Sequence, residues 1–173
     1  MIPSTHPRRP RSGVLVLSRH PSLTPAMEGD LARLMAVPLT HWQRWNRAIG
    51  EDTFRSGNCH HAATALVMDL VAASAARGWR AASGFVRFPE ISEPVLHSWL
   101  ESPHDAVVDA SQVYRVRYGL ALSREAWFRD FRVEPLIQRR PGQVASAVRR
   151  FGLASAALLP ITQLLEAAAS SLM

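Results

Sequence analysis

The sequence predicts a single α+β domain, in which N-terminal helices and a central helix that bears the only cysteine pack on an antiparallel sheet. Apolar residues recur at helical spacing between residues 25 and 78, which predicts helices in the first half of the chain. Short β-prone runs separated by turn residues follow between residues 82 and 122. Helices that precede a run of strands, instead of alternating with them, favour an α+β fold. A chain of 173 residues is long enough for one domain core and short for two.

Composition divides the chain into three parts. Residues 1–13 are rich in Pro and Arg and are expected to be disordered or extended. Residues 14–140 form the single predicted domain, and residues 141–173 form a C-terminal helical extension that is split into two short helices near Pro160. Pro160 and Glu166 also interrupt the apolar run of this extension, so we expect no membrane span there. Its apolar helices are expected to pack on the domain, on a partner or on a second copy of the chain.

The net charge of +6 comes from arginine, because the chain has no lysine. The arginines are scattered and no nucleic-acid-binding motif accompanies them, so an acidic partner or substrate explains the charge equally well. A single cysteine excludes an internal disulfide and fits a reducing compartment. The apolar run of residues 14–17 is too short for the core of a signal peptide, so a cytoplasmic location is expected.

Two amphipathic helices are predicted before the cysteine, the first over residues 25–37 and the second from Thr40 to a stop at Gly50. In the second helix Trp42 and Trp45 share one face. Aromatic residues beside basic ones can stack on a base or a sugar. Because their spacing is that of a helix face, we interpret both tryptophans as core anchors.

The third predicted helix begins at Asn58, a favoured N-cap residue, and ends at Gly78. Cys59 lies in its first turn, and the apolar residues Ala62 and Ala63 lie three and four positions later on the same face. The unpaired N–H groups and the dipole at this end favour a thiolate, so the pKa of Cys59 is expected to fall. The alternative is a small buried residue that packs like any hydrophobic side chain.

Four strands and one helix are predicted after the cysteine helix: strands over residues 82–88, 95–101, 106–110 and 113–122, and a helix over residues 123–131 capped by Ser123. The second and third strands form a hairpin. If Glu101 pairs with Asp105, then His97 lies directly opposite Asp109 and on the same face. Asp109 is then expected to accept the Nδ1–H of His97, which presents its other nitrogen to Cys59.

These residues carry a family resemblance. Residues 57–62 read GNCHHA, residues 97–99 read HSW and residues 107–109 read VVD. This order resembles the transglutaminase-like branch of the papain-like cysteine enzymes, and its spacing is similar to that of the leader-peptide proteases of lasso-peptide biosynthesis. The resemblance covers residues 56 to 110. It implies a papain-like/transglutaminase-like arrangement with Cys59 as nucleophile, His97 as base and Asp109 as orienting carboxylate.

One feature departs from the papain-like pattern, since no glutamine precedes the cysteine in residues 51–58. The backbone N–H of Cys59 supplies one oxyanion donor, and the second donor stays open between Asn58, Gln43 and another N–H. Asn58, His60 and Trp99 are the candidates for oxyanion-stabilising or substrate-lining residues. Trp99 is also expected to pack near the site and exclude water.

Together the residues predict a cysteine-dependent hydrolase that cleaves an amide or peptide bond of a peptide or protein through a thioester, without a cofactor. Attack by an amine instead of water gives acyl transfer, and a non-catalytic binding module that keeps the fold is a further alternative. A zinc site is the remaining one, because Cys59, His60, His61, His97 and Asp109 are metal-ligand types. Adjacent histidines on a helix point about 100° apart and no second cysteine is present, so no metal is expected.

Overall fold

The computed structural model describes residues 14–49, 58–89, 91–111 and 119–171, and it confirms the α+β prediction. In chain order the elements are β1 (Leu17–Arg19), α1 (Pro25–Met35), α2 (Thr40–Ile49), α3 (Asn58–Ala72), β2 (Arg80–Val86), β3 (Val95–Glu101), β4 (Ala106–Asp109), β5 (Gly119–Ser123), α4 (Arg124–Phe131), β6 (Glu134–Arg139), α5 (Pro141–Phe151) and α6 (Leu153–Ser170).

The sheet of the described chain has six strands in the order β1-β5-β4-β3-β2-β6. β1 runs parallel to β5, and every other neighbouring pair is antiparallel. The sheet is therefore mixed, and the prediction of an antiparallel sheet was wrong at one edge. The sequence analysis predicted neither edge strand, β1 or β6, because neither contains a buried residue and neither shows the alternation of a half-buried strand.

The middle of the sheet is covered on both faces. Leu100 and Val108 belong to the core cluster that α1, α2 and α3 form, whereas Trp99 and Val107 belong to a second cluster with Trp127 of α4. Successive residues of a strand point to opposite faces, so one strand contributes to both clusters. This arrangement matters for the site because neighbouring residues of β3 face different layers of the protein.

α3 begins at Asn58 as predicted but ends at Ala72, and the prediction that it continues to Gly78 was wrong. Ser74 ends the helix with a φ of 55°, which lets the N–H of Ala75 donate to the carbonyl of Leu70 at 2.8 Å. This is the pattern of a Schellman motif, which satisfies the last carbonyls of a helix. Gly78 has a φ of 81° in the turn that leads into β2.

α2 is held against α3 by a buried carboxylate. Asp69 of α3 accepts hydrogen bonds from the backbone N–H groups of His41 at 2.7 Å and Trp42 at 3.0 Å. These N–H groups are among those that a helix start leaves unpaired, so Asp69 caps α2 from a neighbouring helix. The buried Trp42 and the half-buried Trp45 pack in the first core cluster, which confirms their interpretation as core anchors.

The C-terminal helices divide at Gly152, so the predicted division near Pro160 was wrong. Gly152 has a φ of 79°, a conformation that glycine adopts without strain, and Pro160 lies buried inside α6. Both helices contact α3. Leu158, Leu159 and Leu165 of α6 are exposed. By length and composition this 18-residue helix is able to cross a membrane (mean hydropathy 1.3), a criterion that core helices of soluble proteins also meet.

Candidate active site

The thiol of Cys59 lies in the first turn of α3, next to the half-buried Asn58. Cys59 is 8% exposed and belongs to neither core cluster. Residues 50–57, which contain the segment just before the cysteine, lie outside the described residues. The position at a helix start agrees with the sequence prediction, and the unpaired N–H groups and the dipole of a helix start favour an anion there.

His97 and Asp109 meet in the interior. Nε2 of His97 lies 2.7 Å from Oδ2 of Asp109, and both side chains are buried. The second carboxylate oxygen, Oδ1, accepts hydrogen bonds from the backbone N–H of Ser111 at 3.0 Å and from its hydroxyl at 2.5 Å. Both oxygens of Asp109 are therefore engaged, which fixes the carboxylate beside the imidazole.

The nitrogen that faces Asp109 differs from the prediction, which assigned Nδ1. Because Nε2 of His97 is engaged by Asp109, Nδ1 is the nitrogen left for the hydrogen bond that His97 shares with Cys59. Nε2 lies farther from the backbone than Nδ1, so it reaches a carboxylate that is displaced along the neighbouring strand. The side chains of Cys59, His97 and Asp109 thus form one continuous series.

That displacement comes from the hairpin register, where the prediction was also wrong. Glu101 pairs with Val107, two residues beyond the predicted partner Asp105. Asp105 adopts a φ of 63° in the loop, a conformation that aspartate tolerates, and the N–H of Ser102 donates to the carbonyl of Ala106 at 2.8 Å.

A register shift of two residues leaves every side chain on its original face, whereas a shift of one would reverse it. Asp109 therefore stays on the face of His97 and becomes a diagonal neighbour on the adjacent strand, still within reach of a long side chain. The contact survives an incorrect register because the displacement is an even number of residues.

Aromatic rings enclose the imidazole of His97. Trp99 stacks beside it at 6.5 Å between ring centroids, Phe88 meets it edge-on at 5.2 Å, and Trp127 lies at 6.1 Å. Trp99 is fully buried and its indole N–H donates to Glu101 at 3.2 Å, so it holds the imidazole in place and does not line a substrate surface. Phe88 and Trp127 were not predicted as neighbours of His97, because their approach to it depends on tertiary packing.

His60 also differs from its predicted place, which was substrate-lining or solvent-facing. It is 3% exposed, and its Nδ1 lies 2.6 Å from the hydroxyl oxygen of Ser98. Ser98 in turn lies 2.6 Å from Ser83. A second hydrogen bond of His60 goes to Cys59. Sequence reasoning missed both serines, since buried hydroxyls on strands resemble ordinary polar positions.

The electrostatics favour an ion pair between the thiol and the imidazole. Burial raises the pKa of Cys59, but the charge of His97, hydrogen bonds from His60 and His97, and the charge of His60 outweigh it and lower that pKa from 9.0 to about 6. Burial lowers the pKa of His97, but the charges of Asp109 and Cys59 and hydrogen bonds from both raise it well above its usual value. Near neutral pH the stable state is a thiolate beside an imidazolium.

Among the described residues, no group of three or more His, Cys, Asp or Glu side chains is placed to hold a metal ion. No known family, no curated protein and no solved structure matches the chain. The function of the protein is therefore inferred from the geometry of the site.

Proposed function

We propose that this protein is a cysteine-dependent hydrolase that cleaves an amide or peptide bond with Cys59, His97 and Asp109, in a papain-like/transglutaminase-like arrangement. The buried series of thiol, imidazole and carboxylate is the observation that supports the proposal most strongly. A nucleophile, a base and a group that orients the base are the parts that acyl-transfer chemistry requires.

The first half of the reaction forms a thioester. The thiolate sulfur of Cys59 attacks the carbonyl carbon of the substrate, and the carbonyl π bond becomes an oxyanion. When the carbonyl re-forms, the carbon–nitrogen bond breaks, and Nδ1 of His97 gives its proton to the departing amine. The products of this half are a free amine, an acyl group on sulfur and a neutral imidazole.

The second half releases the acid. Neutral His97 takes a proton from water, and the resulting hydroxide attacks the thioester carbon. Collapse of this second tetrahedral intermediate breaks the carbon–sulfur bond and restores the thiolate beside the imidazolium. Asp109 stays ionised throughout, because its role is to hold the ring and stabilise its positive charge.

The backbone N–H of Cys59, at the start of α3, supplies one donor for the oxyanion that develops on the carbonyl oxygen. A single oxyanion donor contributes roughly 10²–10³ in rate. The second donor stays open between Asn58, Gln43 and another N–H, and Asn58 is half-buried and next to Cys59 in the chain.

We propose a peptide or protein as the substrate, in a cytoplasmic setting and without a cofactor. The same thioester gives acyl transfer if a primary amine attacks it instead of water. A hydrolysis assay in which a primary amine is added in excess separates the two outcomes, because the product is then an amide and not an acid.

The proposal is tested by measuring the rate of Cys59 alkylation with iodoacetamide as a function of pH. We expect a midpoint at about pH 6 for the native protein, and a midpoint several tenths to two units higher for His97→Ala, because the imidazolium charge is lost. A peptide mixture digested by the protein and analysed by mass spectrometry gives the activity, with Cys59→Ala as control. A native midpoint near the ordinary thiol value of about 8.5, with no cleavage above the control, would falsify the proposal and favour a binding module.

A further inference from the structure

Two adjacent residues of β3 reach the thiol by separate routes. His97 points to the α4 side of the sheet, where it contacts Trp99 and Trp127. Ser98 points to the opposite side, where it meets His60 of α3. Successive strand residues alternate between faces, so this division is built into the strand. His97 contacts Cys59 directly, and Ser98 reaches it through His60.

Ser83, Ser98 and His60, here called the serine–histidine network, form a buried hydrogen-bonded series. Ser83 of β2 and Ser98 of β3 are direct cross-strand partners whose hydroxyl oxygens lie 2.6 Å apart. Ser98 lies 2.6 Å from Nδ1 of His60, and the three residues are at most 5% exposed. Buried hydroxyls without a partner are costly, and here each hydroxyl has one.

The thiolate determines the direction of these hydrogen bonds. Sulfur that has lost its proton only accepts, so the nitrogen of His60 that faces it must carry a hydrogen. Because Nδ1 is engaged by Ser98, that nitrogen is Nε2. When the ring of His60 is neutral, its other nitrogen is an acceptor, so the hydroxyl of Ser98 donates to Nδ1 and the hydroxyl of Ser83 donates to Ser98. In that tautomer every donor in the network points toward the sulfur.

We propose that His60, positioned by Ser98 and Ser83, is a second imidazole at the nucleophile, a hydrogen-bond donor that stabilises the Cys59 thiolate. The inference rests on the proposed thiol chemistry and deepens it. Thiolate occurs twice in the reaction, as the attacking group and as the leaving group of the second half, and a donor to sulfur stabilises it at both points.

The two imidazoles have different partners and therefore different roles. Nε2 of His97 faces the carboxylate of Asp109, which favours a charged ring able to give and take a proton. Nδ1 of His60 faces a hydroxyl, which positions the ring without placing a carboxylate beside it. The titratable groups around the sulfur in the described chain are His60 on α3 and His97 on β3, with Asp109 on β4 acting through His97.

The test uses the pH midpoint of Cys59 alkylation in the full-length protein. Since one pKa unit is a tenfold change in the thiolate equilibrium, we expect His60→Leu to raise the midpoint by about one unit and to lower the thiolate fraction below pH 6 about tenfold. Ser98→Ala, which does not touch the sulfur, should move the midpoint in the same direction by less. Ser98→Thr keeps the hydroxyl and should restore the native value.

A matched control separates this role from a loss of stability. Ser102→Ala removes another buried hydroxyl, which donates to Asp30 outside the network. It should lower the free energy of unfolding and leave the midpoint at its native value. Native midpoints in folded Ser98→Ala and His60→Leu proteins, with the native protein still near pH 6, overturn this inference and leave the proposed function standing. A native protein that titrates as an ordinary thiol overturns both.

Discussion

Oδ2 of Asp109 lies 2.7 Å from Nε2 of His97 in an environment that excludes water. A carboxylate in that position stabilises the charged ring and selects the tautomer that leaves Nδ1 to exchange a proton. Ser111 occupies the other carboxylate oxygen, so Asp109 has little freedom to turn away. The orientation of the His97 imidazole is therefore fixed by the protein itself.

Replacing Asp109 by asparagine should leave the shape of the site and remove the charge. We expect kcat to fall by about 10²–10⁴, the range attributed to general acid–base catalysis, because neutral His97 is then favoured over the imidazolium. The alkylation midpoint of Cys59 should rise for the same reason. Ser111→Ala is the matched variant, since it removes one hydrogen bond to the carboxylate and keeps its charge, and its loss in kcat should be smaller. Equal activity in Asp109→Asn and native protein would contradict the assigned role.

The pH dependence of kcat/KM should be bell-shaped. Thiolate appears as the pH rises through about 6, and the imidazolium disappears as the pH rises through the elevated pKa of His97. The reactive pair therefore exists between these two limits, and the two midpoints belong to the coupled pair. A kinetic profile from about pH 4 to 10 checks this. In Asp109→Asn the alkaline limb of the kcat/KM profile should move to lower pH. An unchanged alkaline limb would show that this limb does not report the titration of His97.

Local sequence was sufficient for the elements that carry the site and insufficient for their register. The helix start at Cys59 and the strand that holds His97 follow from capping and turn residues. The partner of Glu101 does not, because the loop conformation depends on the left-handed backbone of Asp105. The prediction of the His97–Asp109 contact was correct, because a displacement of two residues keeps each side chain on the same face of the sheet.

Other parts of the site depend on contacts between residues far apart in the chain. The sequence predicts Ser98 only as part of a strand. Its contact with His60 is not predicted, because it joins that strand to a helix 38 residues away in the chain. Phe88 and Trp127 surround His97 through packing that no local pattern encodes. The end of α3 at Ser74 was not predicted, because the positive φ of this serine depends on the hydrogen bonds of the whole helix terminus.

Asp69→Ala should destabilise the protein at the junction of α2 and α3. The change leaves the N–H groups of His41 and Trp42 without their acceptor, and losing an acceptor of buried donors costs about 1–3 kcal/mol. Urea denaturation should show a lower midpoint with an unchanged slope. Asp69→Asn keeps a side-chain oxygen and should lose less, so a larger loss for asparagine than for alanine would argue against a capping role.

Asp30 should make the hairpin sensitive to acid. Its buried carboxylate accepts hydrogen bonds from the hydroxyl of Ser102 at 2.6 Å and from the backbone N–H of His104 at 3.0 Å, so it ties α1 to the loop between β3 and β4. Burial raises the pKa of Asp30, but the hydrogen bonds from Ser102, from His104 and from Arg33 outweigh it and lower that pKa below 3.8.

A carboxyl whose pKa is lowered by folding contributes stability that is present above its unfolded pKa and lost as the pH falls through its folded pKa. The contribution of Asp30 is therefore complete above about pH 4 and declines below it. We expect Asp30→Asn to lower the free energy of unfolding at pH 7 and to reduce the further loss between about pH 4 and 2. Urea denaturation at several pH values measures both quantities. An undiminished loss of stability between about pH 4 and 2 in Asp30→Asn would contradict this role.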